Sequence, residues 1–321
     1  MKAQIGESQV DVSQVDATED PGSQLHQEDD AVKLQISVAH SVVPFLTWVP
    51  PGHFYSAVPD LRQVQACLSP GLSTSRSLVG IDLREDQQLS LFQTFAPLAR
   101  ERSLAEFPGS YTRYGLSNES FGIGDAEMFV AMLRHMKPKR YLEVGSGFST
   151  ALALDVNELF LNHQMSISVV DPHPELIFDL VRPQDAIELL RCPVQSLSED
   201  YFTSLEAGDI LFIDSSHVVK HGSDVLFLVN HILPVIGDGV LVHLHDIYWP
   251  LEYPASWVSE GRAWNEAYFL HAFLMFNRQY EILLWTHWLA TNHPKLVESE
   301  LPEMLANPGG SIWLRKVSSD S

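Results

Sequence analysis

Cysteine is nearly absent. Cys67 and Cys192 are the whole supply, and they provide neither a disulfide framework nor the spaced thiol pairs of a zinc site. Basic residues are also few, 20 Lys and Arg against 41 Asp and Glu, leaving a net charge of -21. Nucleic-acid affinity comes chiefly from cations that neutralise phosphates, so this balance speaks against a nucleic-acid partner and against docking on an anionic membrane. Long hydrophobic runs are missing too. The longest apolar region, Val225 to Leu244, is broken by Asn230, His231, Pro234 and a Gly237-Asp238-Gly239 turn, and reads as helix, turn and strand. The amino end carries Glu7, Asp11, Asp16, Glu19 and Asp20 without the apolar core of a signal peptide. A cytoplasmic location is expected.

What is present suits a globular α/β protein: 321 residues, of which 45% are hydrophobic and 10% aromatic. Residues 1–34 are polar and acidic and are expected to form a disordered tail. Residues 35–120, irregular and marked by "VPPGHFYSAVPD", read as an N-terminal cap segment, and 121–321 as the main domain. There the rhythm is strand–helix alternation. Strands are predicted at "RYLEVG", "SISVVD", "IELLRC", "DILFID", "GVLVHLHD", "YEILLWTHW" and "SIWLRKV", with helices over Ser149 to Leu161 and Ser223 to Ile236. Met128, Met132 and Met136 share a helical stripe, which predicts core packing.

"YLEVGSGFST" sets a Gly-x-Gly turn between a strand and a helix, where backbone and ligand approach closely. No Lys follows the second glycine, so a P-loop is excluded; Thr150 stands where a dinucleotide fingerprint wants a third glycine. Glu143, two residues before Gly145, would repel a pyrophosphate if unpaired and would favour the cationic S-adenosylmethionine. Asp171, ending the second strand, can accept hydrogen bonds from both ribose hydroxyls, which suits NAD and S-adenosylmethionine equally. Gln195, Ser196 and Leu197 lie where an adenine edge would sit.

At these residues, together with "ILFIDSSHVVKHGSDV", "HLHDIYWPLEYPASWV" and "PPGHFYSAVPD", the chain resembles the class I S-adenosylmethionine-dependent methyltransferases. The similarity is to the subgroup with an N-terminal cap and a His-Asp pair after strand five. The resemblance implies a Rossmann-like, seven-stranded, mostly parallel sheet with an antiparallel last strand and helices on both faces. It also implies cofactor contacts from Glu143, Gly145, Ser146, Gly147, Asp171, Ser196 and Asp214, and a small-molecule acceptor.

Ligands of open α/β sheets bind beyond the carboxyl ends of the strands. Asp214 and His217 follow strand four, and His245 and Asp246 follow strand five. His243, inside that strand, reads as core. Two routes to a deprotonated acceptor are open. His217 or His245 acts as general base, its ring oriented by Asp214 or Asp246. Alternatively, a divalent metal held by Asp214, His245 and Asp246 lowers the pKa of an acceptor hydroxyl. Arg262, Asn265 and Glu266, read as one helical face, are substrate candidates, as are His53 and Tyr55 in a cap loop that could close over the site. O-methylation of a small molecule is the expected activity. A metal-dependent hydroxylase, an NAD-binding oxidoreductase and a binding protein without turnover on a similar sheet stand as alternatives.

Overall fold

The computed structural model describes residues 48–60, 62, 64, 78–101, 112–118 and 120–318. The acidic tail at 1–34 lies outside the described residues. The chain divides into two compact units, Met1–Gln63 and Val64–Ser321. Residues 78–101, grouped above with the cap, thus belong to the second unit. In the first, the 48–60 segment is a succession of turns, in which Gly52 N–H donates to Val58 O at 2.9 Å and Trp48 stacks on Tyr55.

The second unit is built on seven strands: β1 (Arg140–Val144), β2 (Ser166–Val170), β3 (Glu188–Leu190), β4 (Ile210–Ile213), β5 (Leu241–Leu244), β6 (Tyr280–Trp285) and β7 (Ile312–Lys316). Their order is β3-β2-β1-β4-β5-β7-β6, with β7 antiparallel to both β5 and β6 and the remaining pairs parallel. This is the expected Rossmann-like sheet with its antiparallel last strand. Around it pack the helices α1 (Glu85–Arg100), α2 (Ile123–Met136) and α3 (Phe148–Phe160). The shorter α4 (Glu175–Leu180), α5 (Glu199–Thr203), α6 (Asp224–Phe227), α7 (Ala255–Ser259) and α8 (Glu266–Leu274) follow, then α9 (Thr286–Asn292) and α10 (Pro294–Glu300).

β1 and β4 are flanked by strands on both sides and carry Leu142, Val144, Leu211 and Ile213, all buried. Such strands need apolar side chains on both faces, hence their near-continuous hydrophobic runs. Met128 and Met132 are fully buried in the core. Phe212, Phe129, Tyr141 and Trp313 form an aromatic cluster there. His243 joins it, stacked on Phe212 with ring centroids 3.8 Å apart.

Three elements differ from the sequence reading. The strand predicted through "YEILLWTHW" stops at Trp285, because Thr286 opens α9. The helix predicted over Ser223–Ile236 begins as α6 and continues as a π-helical turn, Leu228–Ile232, in which Leu233 N–H reaches Leu228 O at 2.9 Å. Finally, the apolar segment Ala267 to Phe276, whose sequence predicts burial nearly all round, is buried on one side only. Ala267, Leu270 and Leu274 face the core, whereas Phe276, just past the end of α8, is 78% exposed. Among the described residues no helix is long and apolar enough to cross a membrane.

Candidate active site

The carboxyl ends of β1, β2, β4 and β5 surround two cavities of about 370 Å³ and 610 Å³. Ser146, Asp214, Ser215 and Ser216 line both, so the two adjoin. The smaller is walled by Gly145, Asp171, Pro193, Val194 and Gln195 and has the size and polarity for a nucleoside. The larger holds the charged cluster, with Asp125, His217, His245 and Asp246.

The glycine turn is held from below. Gly145 has φ +89° and lies so close to β4 that a Cβ would sit 1.7 Å from Asp214 O; only glycine fits. Gly147 is different. Its φ of 167° is ordinary extended backbone, and a Cβ there would meet nothing closer than Leu176 Cδ2 at 3.4 Å. Glu143 does not stand at the mouth of the turn. Paired in register with Val169 on one side and Phe212 on the other, it is fully buried beneath the turn and lines neither cavity. There it accepts hydrogen bonds from the hydroxyls of Ser149 and, at 2.6 Å, Thr150 in the first turn of α3. The unpaired carboxylate assumed from sequence is thus a paired one that fastens α3 to β1.

Burial pushes the Glu143 carboxyl up to about 8, against the opposing pull of Ser149 and Thr150. A raised carboxyl favours the neutral form in the folded protein. Its contribution to stability is complete below the unfolded value near 4.5 and fades as pH rises toward 8. Denaturant unfolding at pH 5 and pH 8 should therefore show a fall in stability that is clearly smaller in Glu143→Gln.

Each backbone amide of the turn already has a partner. Gly145 N–H donates to Val170 O at 3.0 Å, Ser146 N–H to Asp171 Oδ2 at 2.9 Å, and Gly147 N–H to Thr150 Oγ1 at 3.2 Å. A pyrophosphate is cradled by free amides of such a turn. None is free here, which disfavours the NAD alternative. Asp171, just past β2, also accepts from Ser146 Oγ at 2.5 Å and His173 N–H at 2.7 Å. These bonds fix its carboxylate against the smaller cavity and leave one lone-pair site, on Oδ1, for a ligand hydroxyl. Asp171→Ala should weaken S-adenosylmethionine binding by about tenfold or more by calorimetry, in line with losing one charge-assisted hydrogen bond. Ser196, the expected adenine contact, instead turns its hydroxyl to Pro193 O at 2.7 Å, and Gln195 lines the cavity.

At the reacting end His217 is encircled by carboxylates. Its Nδ1 lies 2.8 Å from Glu266 Oε2; its Nε2 lies 3.4 Å from Asp214 Oδ1 and 3.5 Å from Asp246 Oδ2. The sequence reading gave the orienting role to Asp214 or Asp246; the carboxylate within hydrogen-bond distance is Glu266. Although burial opposes it, the nearby carboxylates of Asp214 and Glu266 hold His217 well above the ordinary histidine range, as an imidazolium. Asp214 is drawn down to about 2 despite burial, by His245 and His217. Asp214, Asp246 and Asp125 push His245 up to about 9 against burial. Its Nε2 is 3.3 Å from Ser120 O and 3.7 Å from Asp246 Oδ1. His217 and Asp246 both have φ of +57°, a left-handed conformation that non-glycine residues rarely adopt, and one that clusters at functional sites.

Sequence reasoning missed Asp125. It enters from α2 and accepts from Gly310 N–H at 3.0 Å and Ser311 Oγ at 2.6 Å, where the chain approaches β7. The only signal was a pair of acids, Asp125 and Glu127, at the start of a largely apolar helix. The Arg262–Asn265–Glu266 face is not helical, because α8 begins at Glu266 and residues 262–265 before it are irregular. Asn265 ties the loop, accepting from Val219 N–H at 2.5 Å, and does not line the cavity; Arg262 does. His53 and Tyr55 belong to the first unit, where Tyr55 N–H donates to His53 Nδ1 at 3.1 Å.

A divalent cation would need Asp214, His245 and Asp246 to converge on one point. The space between the two aspartates is taken by His217 Nε2, and no three His, Cys, Asp or Glu among the described residues are grouped as metal ligands. This donor set does not fit a metal.

Residues 142–247 match the family model described as a methyltransferase domain. An uncharacterized protein of Archaeoglobus fulgidus is 32% identical over 163 residues, which span 49% of this chain and 73% of that protein. Similar solved structures include a Podospora anserina methyltransferase, PaMTH1, bound to S-adenosylhomocysteine (17% identity, 60% of this chain and 78% of that one, TM-score 0.38). Another is the plantazolicin methyltransferase BpumL with a substrate analogue and S-adenosylhomocysteine (13%, 74% and 100%, 0.40). A third is the O-methyltransferase TomG of Streptomyces achromogenes with S-adenosylmethionine (12%, 71% and 90%, 0.34).

Proposed function

The chain belongs to the class I S-adenosylmethionine-dependent methyltransferases, and on that premise we propose that it methylates a hydroxyl group of a small molecule. The observation that carries this reading is the His217 cluster: one buried histidine held at both ring nitrogens by carboxylates, beside a cavity adjoining the nucleoside site. Bound there, S-adenosylmethionine supplies an electrophilic methyl group on a cationic sulfur. Everything else falls to the protein.

Asp171 receives the ribose hydroxyls, and Pro193, Val194 and Gln195 form the adenine wall. Asp214 and Asp246 provide negative charge opposite the cationic sulfur. In the resting site the His217 imidazolium lies between them and offsets part of their charge; a second cation sharing them would make the imidazolium less favoured, and His217 would release its Nε2 proton to solvent. The freed Nε2 is then the acceptor for the hydroxyl proton of the incoming substrate, generating the nucleophile as the methyl group moves in line. Glu266 at Nδ1 fixes the ring and steadies the imidazolium that re-forms. His245, the other base candidate, keeps Nε2 toward Ser120 O and serves to set the charge of the cluster.

The test combines calorimetry with transfer assays. S-adenosylmethionine and S-adenosylhomocysteine should bind while NADH does not, and labelled methyl should pass to a member of a panel of hydroxylated metabolites. Transfer that survives His217→Gln undiminished would remove His217 from the chemistry.

A further inference from the structure

Arg262 is the one Lys or Arg among the residues lining the 610 Å³ cavity. Its guanidinium is fixed over two indole faces, 4.3 Å from the Trp257 ring centroid and 5.1 Å from that of Trp264. Its backbone N–H donates to Trp257 O at 3.1 Å, which keeps the turn folded back on α7. Only Nε has a side-chain partner, Glu260 Oε2 at 3.1 Å, and that pair is largely exposed, 38% and 55%, hence weak. The two terminal nitrogens have no partner among the described hydrogen bonds. A guanidinium stacked and aimed in this way is preorganised for two parallel hydrogen bonds to a planar anion.

Resting on the methyltransferase reading, we infer that the acceptor carries a carboxylate that Arg262 binds. Charge decides the class of anion. The His217 and His245 imidazoliums in this cavity are already opposed by Asp125, Asp214 and Asp246, which leaves one arginine for a ligand, so a monoanion can be matched while a phosphate dianion would meet uncompensated repulsion. Geometry limits the shape. Trp264 touches both centres, with Arg262 over its ring and His217 4.4 Å from it by ring centroids. The carboxylate site and the proton-accepting imidazole are therefore neighbours of one indole, which bounds their separation to little more than the length of an aryl acid. A hydroxylated aryl or similarly flat carboxylic acid spans that interval, with Tyr248 and Trp257 along its side.

The probes are hydroxybenzoates and hydroxycinnamates, each paired with its neutral amide, titrated into the full chain saturated with S-adenosylhomocysteine. Calorimetry reads binding without requiring turnover. At least one acid should bind roughly tenfold or more tightly than its amide, and Arg262→Gln should abolish that difference while Arg262→Lys retains part of it. The affinity for S-adenosylhomocysteine should stay within about twofold in both variants, which shows that they fold and that the nucleoside site is intact. If no acid outbinds its amide, or if the preference persists in Arg262→Gln, the inference is overturned. Absence of S-adenosylhomocysteine binding in the wild-type chain would instead overturn the methyltransferase reading beneath it.

Discussion

Gly145→Ala abolishes measurable S-adenosylmethionine binding and lowers stability by about 3 kcal/mol or more. Two effects add. An alanine at φ +89° carries the left-handed penalty of ~1–2 kcal/mol, and its Cβ falls 1.7 Å from Asp214 O, an atom of backbone that no rotamer change can move. Relief requires β1 and β4 to part at their carboxyl ends, where Ser146 and Asp214 line the smaller cavity. A displacement of about 1 Å there costs about 10²-fold in rate wherever binding survives. Gly147→Ala is the control. With extended backbone and an ordinary contact to Leu176, it should change stability by less than about 1 kcal/mol and leave binding measurable. Thermal melts and titration calorimetry on the pair check both expectations; equal behaviour would mean that the close approach of β1 to β4 does not govern the site.

His217→Ala carries the second large effect. It strands Glu266, 2% exposed, without its partner and leaves Asp214 and Asp246 facing each other across an empty ring position. Removing one member of a buried ion pair costs about 3–5 kcal/mol, and losing a general base costs about 10²- to 10⁴-fold in turnover. Glu266→Gln separates the two consequences, because glutamine can still accept from Nδ1 while the charge is gone. The His217 pKa is raised by its carboxylates, so its stabilising contribution is complete below the unfolded value of 6.5 and is lost as pH rises through the folded one. Activity runs the other way, rising once the ring is deprotonated. Glu266→Gln should move the acidic limb of the rate profile to lower pH, a shift that loss of packing alone would not produce. In buffers of different ionisation heat, S-adenosylmethionine should release more protons on binding than uncharged-sulfur S-adenosylhomocysteine. Identical release would contradict charge sharing between the sulfonium and His217.

The sheet was readable because its signals are local: each strand announces itself as a short apolar run, and Asp171 follows β2 directly, as the sequence predicts. Glu143 was misjudged from its nearness to Gly145. In a central parallel strand both faces are buried, and residues two apart share a face, so Glu143 had to follow Tyr141 into the interior. The Glu266–His217 pair was out of reach for another reason. It joins residues 49 apart through a reversal at Gly261 and through Asn265 and Glu266 amides donating to His217 O at 3.1 and 3.2 Å. No periodicity encodes such a contact. Arg262 and Glu266 matched helical spacing, yet the chain between them is not helical.

Asp125 and Ser311 meet across 186 residues of sequence, and the strand between β5 and β6 is the one that brings Ser311 there. Contacts of such separation form late, after many loop closures. A chain halted part-way, with β1 to β5 assembled and β7 still loose, would own every residue of the nucleoside site yet lack a wall of the acceptor chamber. Refolding should accordingly recover nucleoside affinity before methyl transfer, so that turnover reports completion of the fold, not its beginning.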